Sequence, residues 1–483
     1  MSADIVSAFM QKNIFLNPSA MDYILKSRKA EDIMQAASLI ERKNTPVFFD
    51  NSMIDALFVS SAELKPSVFV IKSYNEEPKK REVGHFVSYM RARYDQLRDI
   101  LMNRLDMQSA ISIKRATEKK TMEKTSLVGM VLKKEETKNG NICLTLEDQS
   151  GHMKAIVRKD NRKSFESANE LTMDEVIGVT GSCNGEVFFV NDLLLPDIPV
   201  AEFKKGPDDV SAAFISDLHI GSKMFLKDEF LKFISWINGE TGTDEQKKEA
   251  MKIKYLFIAG DLVDGIGIYP EQDNELEIKD IIEQYNECAR YLSIIRKDIS
   301  IIICGGNHDA IRISEPQPVL EKTYAAALYT LSNAIFVSNP AMINIHAVKG
   351  FPGFNVMMYH GYSFDYYISN VESIRHNGGY DRGDLVMKHL LQKRHLCPTH
   401  GSSLYIPDEK TDPLVIDKVP DIFITGHIHK TAISNYKSTT LLSGSCWQSK
   451  TAFQEKVGHN PEPARVPVVN LKTREVKVVK FMA

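Results

Sequence analysis

The chain has 483 residues, 43 % of them hydrophobic and 25 % charged, with 60 Lys and Arg against 63 Asp and Glu for a net charge of −3. The length exceeds one ordinary domain, and the composition is that of a folded globular protein. So small a net charge excludes a protein that holds nucleic acid by bulk charge alone. The six cysteines, at 143, 183, 288, 304, 397 and 446, form no CxxC pair. That argues against a zinc ribbon and suits a reducing cytosol. Cys143 and Cys304 sit in apolar runs and read as buried thiols. The opening MSADIVSAFMQKN lacks the basic-then-apolar pattern of a signal peptide. No apolar run approaches the roughly 18 residues that span a bilayer. The expectation is a cytoplasmic protein with no membrane partner.

Residues 1–45 read as a small helical interaction module. Asn17 followed by Pro18 is a helix start, and a second helix is expected over 30–42. Residues 46–122 open on a strand signal and a polar linker, SYNEEPKKREVG. A helix follows, in which Phe86, Met90, Tyr94, Leu97, Leu101 and Leu105 share one face and form a packing surface. The basic stretch 114–124 reads either as a solvated connector or as a contact to a DNA backbone.

Residues 123–205 read as all-β. Strands are expected over 126–134, 142–147, 153–157, 176–182 and 186–194, with Asn-Gly turns at 139–140 and 184–185. A polar helical segment over 163–169 divides the third strand from the fourth. Five strands with that insertion match an OB-fold barrel. Its aromatics are few, chiefly Phe188 and Phe189, so both an architectural or docking role and single-strand binding by stacking stand open.

Residues 206–483 alternate strand and helix signals. Five times an apolar run ends in metal-binding residue types. Residues 212–216 lead to Asp217 and His219, and 255–259 to Gly260, Asp261 and Asp264. The run 299–304 leads to Asn307, His308 and Asp309, 355–359 to His360, and 422–425 to His427 and His429. In an α/β sheet the loops beyond the strand carboxyl ends lie together, so ligands far apart in sequence converge. Carboxylate, amide and imidazole donors suit borderline divalent ions, Mn²⁺ first, with Fe²⁺ or Zn²⁺ as alternatives, and disfavour Mg²⁺. Two such ions would activate a water and neutralise phosphate oxygens. His308 fits a general acid for the leaving oxygen, with Asp309 orienting its ring. Arg312 reads equally as a phosphate contact or a surface salt bridge.

These five motifs resemble those of the calcineurin-like metallophosphoesterases, a superfamily that includes the double-strand-break repair nuclease. The resemblance implies a first metal on Asp217, His219, Asp261 and His429, and a second on Asp261, Asn307, His360 and His427. Asp261 is then the bridge and His308 the catalytic histidine. A narrower resemblance covers nearly the whole chain. The domain order and the stretches GGNHDAIRISEPQP, KHLLQKRHLCPTHG and GSCWQSKTAFQ are similar to the small subunit of archaeal family D DNA polymerase. That implies a 3′→5′ proofreading exonuclease acting on single-stranded or mismatched DNA 3′ ends beside a large catalytic subunit. The related eukaryotic B-subunits have degraded metal sites, and the intact ligands here argue against that silent, scaffolding state.

The expected fold is therefore a multidomain one, with an α/β two-sheet sandwich metallophosphoesterase domain, an OB-fold barrel and a small helical N-terminal domain. Tyr362 and Arg375 within 360–376, and the basic 389–395 stretch, are read as strand contacts or ordinary surface. A protein Ser/Thr phosphatase is disfavoured, because Gly265 follows Asp264 where those enzymes carry Arg, and Asp309 follows His308 where they carry Glu. A free-standing nuclease or cyclic-nucleotide phosphodiesterase would need neither the barrel nor the N-terminal module.

Overall fold

The computed structural model describes residues 67–482 except 78 and 457, together with short stretches at 6–7, 9–11, 14–16 and 47–49. The two helices expected at 17–18 onward and at 30–42 lie outside the described residues. Of the N-terminal module, β1 (Ile14–Leu16) pairs in parallel with β2 (Val47–Phe49). The 1–45 segment is thus not purely helical, and its strand pairs with one that lies beyond the expected boundary, at the start of 46–122.

Two six-stranded sheets form the C-terminal half. The strands of the first are β9 (Ser211–Ile215), β10 (Ile253–Ala259), β11 (Ser300–Cys304), β12 (Ala334–Phe336), β18 (Arg465–Asn470) and β19 (Val476–Lys480). Their order is β12-β11-β10-β9-β18-β19. The second is built from β3 (Val68–Ser73), β13 (Ala341–Ile345), β14 (Phe354–Met358), β15 (Ile422–Thr425), β16 (Ala432–Tyr436) and β17 (Thr439–Ser443). Its order is β16-β17-β15-β14-β13-β3. Strands β9 to β12 run parallel to one another, as do β14, β15 and β17.

Side chains alternate across a strand, and here both faces are apolar because both are covered. Ala212, Phe214, Tyr255, Phe257 and Ile302 meet Val356, Met358 and Ile424 between the sheets. Ala213, Ile215, Leu256, Ile258 and Ile301 face the other way. They pack under the helices α3 (Lys227–Ile237) and α4 (Ile281–Ser293), through Phe230, Phe233, Tyr285 and Leu292. On the outer face of the second sheet, Met357, Phe423 and Leu441 pack under α5 (Phe364–Asn370) and α6 (Gly383–Lys393). The result is a helix–sheet–sheet–helix stack.

The middle of the chain closes into a barrel. Its strands are β4 (Glu123–Glu136), β5 (Ile142–Asp148), β6 (Gly151–Val157), β7 (Val176–Cys183) and β8 (Val187–Leu194), with α2 (Arg162–Asn169) between β6 and β7. The order around the barrel is β4-β5-β6-β8-β7. Leu127, Val131, Leu144, Leu146, Val179 and Phe188 fill the interior.

Three readings need correction. The strand signal before the linker is β3, but it does not belong with the linker and the helix of 46–122. β3 pairs antiparallel with β13 as the edge of the second sheet, so the C-terminal domain begins before residue 206. The amphipathic helix, α1 (Val83–Met102), ends three residues before Leu105, which lies exposed in a following turn. Cys143 is only half-buried; all six thiols are unpaired. No helix among the described residues is long and apolar enough to cross a membrane.

Candidate metal centre

The loops that follow β9, β10, β11, β14 and β15 meet at one rim of the two sheets. They bring Asp217, His219, Asp261, Asn307, His360, His427 and His429 together. The contacts fall into two groups that share Asp261. In the first, His429 Nε2 lies 3.3 Å from Asp217 Oδ1 and 3.1 Å from His219 Nε2, while His219 Nε2 is 3.9 Å from Asp261 Oδ2. In the second, His360 Nε2 is 3.3 Å from Asp261 Oδ2 and 2.9 Å from Asn307 Oδ1, and His427 Nδ1 is 3.1 Å from the same amide oxygen. Asp217, His219, Asp261 and His360 are almost wholly buried.

Local backbone makes this convergence possible. Asp217, His219, Asp261, His427 and His429 all have φ between 51° and 71°. This left-handed region is uncommon outside glycine, though Asp and His tolerate it better than most. Such residues cost on the order of 1–3 kcal/mol each and collect at functional sites. Two glycines leave room for the ligands. A Cβ on Gly260, itself at φ 85°, would come within 2.4 Å of His360 Nδ1, and one on Gly306 within 2.3 Å of Asp261 Oδ1.

Each histidine has its second ring nitrogen engaged, which fixes the nitrogen it presents. His360 Nδ1–H donates to the Ala259 carbonyl at 2.8 Å. His219 Nδ1–H donates to Asp264 at 3.1 Å, whose carboxylate also accepts from Gln448 and Gln272. His427 Nε2–H donates to Asp365 at 3.0 Å. The side-chain amide of Gln454 meets His429 Nδ1 at 3.0 Å.

The donor set fits a pair of borderline divalent cations. Its atoms are imidazole nitrogens, carboxylates and an amide oxygen. The donor atoms of Asp217, His219 and His429, those of Asp217, Asp261 and His360, and those of His219, Asp261 and His308 each lie within 4.8 Å of one another. The local field agrees. Burial opposes charge on Asp261, yet the imidazoles of His360, His308 and His219 hold its carboxyl well below the usual range. Asp217 is held low in the same way by His429. Burial also opposes a proton on His360, but Asp261 and Asp217 overcome it and push the pKa up to about 10. The pocket therefore favours positive charge where its lone pairs converge.

His308 stands at the edge of this group, half-buried, its ring 4.6 Å from that of His219. Its backbone N–H donates to Asp261 Oδ1 at 2.8 Å, and its Nδ1–H donates to the Asp264 carbonyl at 2.8 Å. Nε2 is then the nitrogen left for a substrate. It lines a cavity of about 280 Å³ with Asn307, Tyr269, Tyr362, Tyr380 and His459.

The expected substrate-side residues fare unequally. Asp309 does not orient His308. It is buried and accepts from Gly306 N at 2.8 Å, Leu262 N at 3.3 Å and Tyr285 Oη at 3.0 Å, stapling the second ligand loop to the third. Burial and the nearby Asp261 raise its pKa to about 7. Arg312 forms no salt bridge among the described residues. It donates to the Ser314 and Pro316 carbonyls and lies over the Tyr74 ring, outside the cavity. Tyr362 lines the cavity, 5.7 Å from the His427 ring. Arg375 lines an adjoining one. The 389–395 stretch is no strand contact, because His389, Lys393, Arg394 and His395 are buried. Phe188 is inside the barrel and cannot stack on a base; Phe189 is 39 % exposed. Sequence reasoning missed Asp365, Gln448, Gln454 and the ring-orienting role of Asp264. Asp264 stood in the second motif without that role, and the GSCWQSKTAFQ run holds both glutamines.

Comparison with known proteins gives the context. Residues 212–433 match the family model of the DNA polymerase alpha/epsilon B-subunit. The DNA polymerase II small subunit of Methanothermobacter thermautotrophicus is 41 % identical over 389 residues, covering 80 % of this chain and 78 % of that one. The chain belongs to the small-subunit family of archaeal family D DNA polymerase. The likeness extends to almost full length in the Thermoplasma acidophilum member, at 34 % identity over 99 % of this chain and 92 % of the relative. The Archaeoglobus fulgidus member is 34 % identical over 97 % and 96 %. The Methanocaldococcus jannaschii member is longer, and the chain spans 64 % of it. Membership places the chain in DNA replication as part of a polymerase holoenzyme.

Proposed function

We propose that this chain is the proofreading 3′→5′ exonuclease of its polymerase, hydrolysing phosphodiesters at single-stranded or mismatched DNA 3′ ends beside a large catalytic subunit. The observation that carries this reading is the complete donor set at one rim of the two sheets, with His308 at its edge and five of the seven donors (His219, Asp261, Asn307, His427 and His429) lining one cavity, in a replicative polymerase subunit. The C-terminal domain is read as a metallophosphoesterase. Asp217, His219, Asp261 and His429 would hold one divalent cation, and Asp261, Asn307, His360 and His427 a second, with Mn²⁺ preferred and Fe²⁺ or Zn²⁺ as alternatives. Bound there, the two ions would supply Lewis-acid charge to the phosphate and lower the pKa of a water.

The chain's own residues do the rest. His308, its Nδ1–H committed to the Asp264 carbonyl, offers Nε2 toward the cavity. Protonated there, it gives a proton to the 3′ oxygen of the penultimate nucleotide as the P–O3′ bond breaks and the water oxygen bonds to phosphorus. Asp264, Asp365 and Gln454 keep the ligand rings in place. The barrel is read as an OB-fold, supported by its strand order and the helix between its third and fourth strands. With Phe188 buried, docking is favoured for it over base stacking.

The test is Mn²⁺-dependent digestion of a 3′-mismatched primer by wild type and His308→Ala, each with and without the co-expressed large subunit. The expected outcome is shortening by the wild type and a loss of about 10²–10⁴-fold in the variant. On the p-nitrophenyl ester of thymidine 5′-monophosphate the loss should be far smaller, because that leaving oxygen departs without needing a proton. If neither protein cuts DNA with any divalent metal, a catalytically silent scaffold or a different phosphoester becomes the better account. If the wild type purifies as a fully active nuclease with no affinity for the large partner, a free-standing phosphodiesterase does.

A further inference from the structure

A second hollow of about 460 Å³ adjoins the metal-centre cavity and shares Tyr380, Ile428 and His459 with it. Two cations line it. Arg375 lines the hollow and is exposed, and its only hydrogen bond among the described residues runs from Nη1 to the Ser369 carbonyl, leaving the rest of its guanidinium fork without a partner among them. Lys430 is largely covered, with 12 % of its side chain exposed, and its ammonium pairs with Asp381 at 2.7 Å. Asp381 is 67 % exposed, so its end of the pair is open to solvent at the rim of the hollow. Between the two cavities stand Tyr380 and His459, ring centroids 4.3 Å apart. Tyr380 is fixed from behind by its hydrogen bond to Asp365.

We infer that this hollow is a subsite for the penultimate nucleotide of an unpaired DNA strand; the inference rests on the exonuclease reading above. The chemistry of the lining points to that ligand class. Arg375 and Lys430 match a phosphodiester, and an aromatic pair next to them matches a base, which stacks irrespective of its identity. The position supplies the order. The terminal nucleotide carries the phosphorus under attack, so the nucleotide whose 3′ oxygen leaves continues past the Tyr380–His459 wall into the hollow. Two neighbouring nucleotides must then be unstacked from any complementary strand, which selects frayed or mismatched ends over a paired terminus. Asp381 opposes the phosphate and lowers affinity from the rim.

The experiment uses the two-subunit complex with Mn²⁺ and compares Arg375→Ala, Lys430→Gln and Asp381→Asn on two substrates. One is an oligothymidylate. The other is the p-nitrophenyl ester of thymidine 5′-monophosphate, which carries the terminal nucleotide and no penultimate one. Both cation variants should raise KM for the oligonucleotide about tenfold, the size of one lost charge-assisted contact, and leave the ester unchanged. Asp381→Asn should lower KM for the oligonucleotide, whereas a merely structural Lys430–Asp381 pair would make it behave like Lys430→Gln. Equal losses on both substrates, or oligonucleotide KM values that stay at the wild-type level, overturn the subsite while the exonuclease reading stands. A wild-type complex that cleaves the ester and leaves every DNA 3′ end intact overturns both.

Discussion

Asp365 shows how the centre is held at the level of single residues. It accepts from His427 Nε2–H at 3.0 Å and from Tyr380 Oη at 2.9 Å. Burial would raise its pKa, but His427 outweighs that and holds it at about 2, so it is a carboxylate at any working pH. A charged acceptor behind a ligand histidine raises the ring's basicity and fixes which nitrogen faces the ion. Asp365→Ala should therefore weaken binding of one of two Mn²⁺ ions by about 10–100-fold, read directly by Mn²⁺ electron paramagnetic resonance titration. Asp365→Asn, which retains an acceptor, should lose less; equal weakening by both would mean that charge rather than orientation matters. The ligands themselves were legible because each Asp, Asn or His follows an apolar run at a strand's carboxyl end. Asp365 was not, since it sits in α5, a helix with no motif, 62 residues from its partner. Asp309 misled for the opposite reason. Adjacency to His308 in sequence suggested contact, but the Asp309 carboxylate is taken up by Gly306 N, Leu262 N and Tyr285 Oη instead.

At the scale of elements, α1 carries two distinct faces. Its apolar stripe was readable from spacing, and Tyr94, Leu97 and Leu101 do pack on Val128, Met130 and Val176 of the barrel. Its second face was not readable, because Tyr89, Arg93 and Gln96 look solvent-directed on a helical wheel. All three reach Asp412. Arg93 Nε lies 2.7 Å from Asp412 Oδ2 and Tyr89 Oη 2.7 Å from Oδ1, while His395 Nε2 is 2.8 Å from Oδ2. Arg93 and Asp412 are both buried. The helix is thus a wedge between barrel and sandwich, clamped by a partner 319 residues away, a separation no local pattern records. The same limit hid the place of β3 in the second sheet, because its ladder partner β13 lies far downstream of the strand signal. Removing one member of a buried, hydrogen-bonded pair strands the other. Asp412→Asn should cost about 3–5 kcal/mol in a urea titration. Arg93→Met should cost a similar amount, and the double variant less than the sum. Strict additivity would show that the two side chains act independently.

Across the whole molecule, the barrel and the sandwich meet through a buried charge pair that also bears on acid stability. Glu175, just before β7, is 1 % exposed and lies 2.6 Å from Lys393 Nζ at the end of α6, with His389 Nε2 at 3.6 Å. Thr399 and Thr172 hydrogen-bond alongside, at 2.7 Å. The 389–395 stretch, basic in sequence, is therefore a joint between domains, which the residue types alone did not distinguish from a nucleic-acid patch. Burial would raise the Glu175 pKa, but Lys393 and His389 more than offset it and hold the carboxyl at about 2. Burial lowers the pKa of His389 itself, and the close ion pair at this joint is Glu175 with Lys393. A carboxyl whose folded pKa lies below its unfolded value stabilises the fold above the unfolded value, and that contribution fades as pH falls. The stabilisation is complete above about pH 4.5 and is lost between there and about pH 2, and it is on the order of 3 kcal/mol. Glu175→Gln should remove it at pH 7 and also leave the Lys393 ammonium buried without its counter-charge. Denaturant titrations from pH 7 to pH 2 should show the wild type losing stability steeply below pH 4.5 and the variant losing less over the same interval. Pairing the change with Lys393→Met should restore much of the pH 7 stability, because no charge is then left uncompensated. If the two pH profiles run parallel, Glu175 is not the linked group, and the joint is held by Thr172, Thr399 and the apolar contacts of α1 instead.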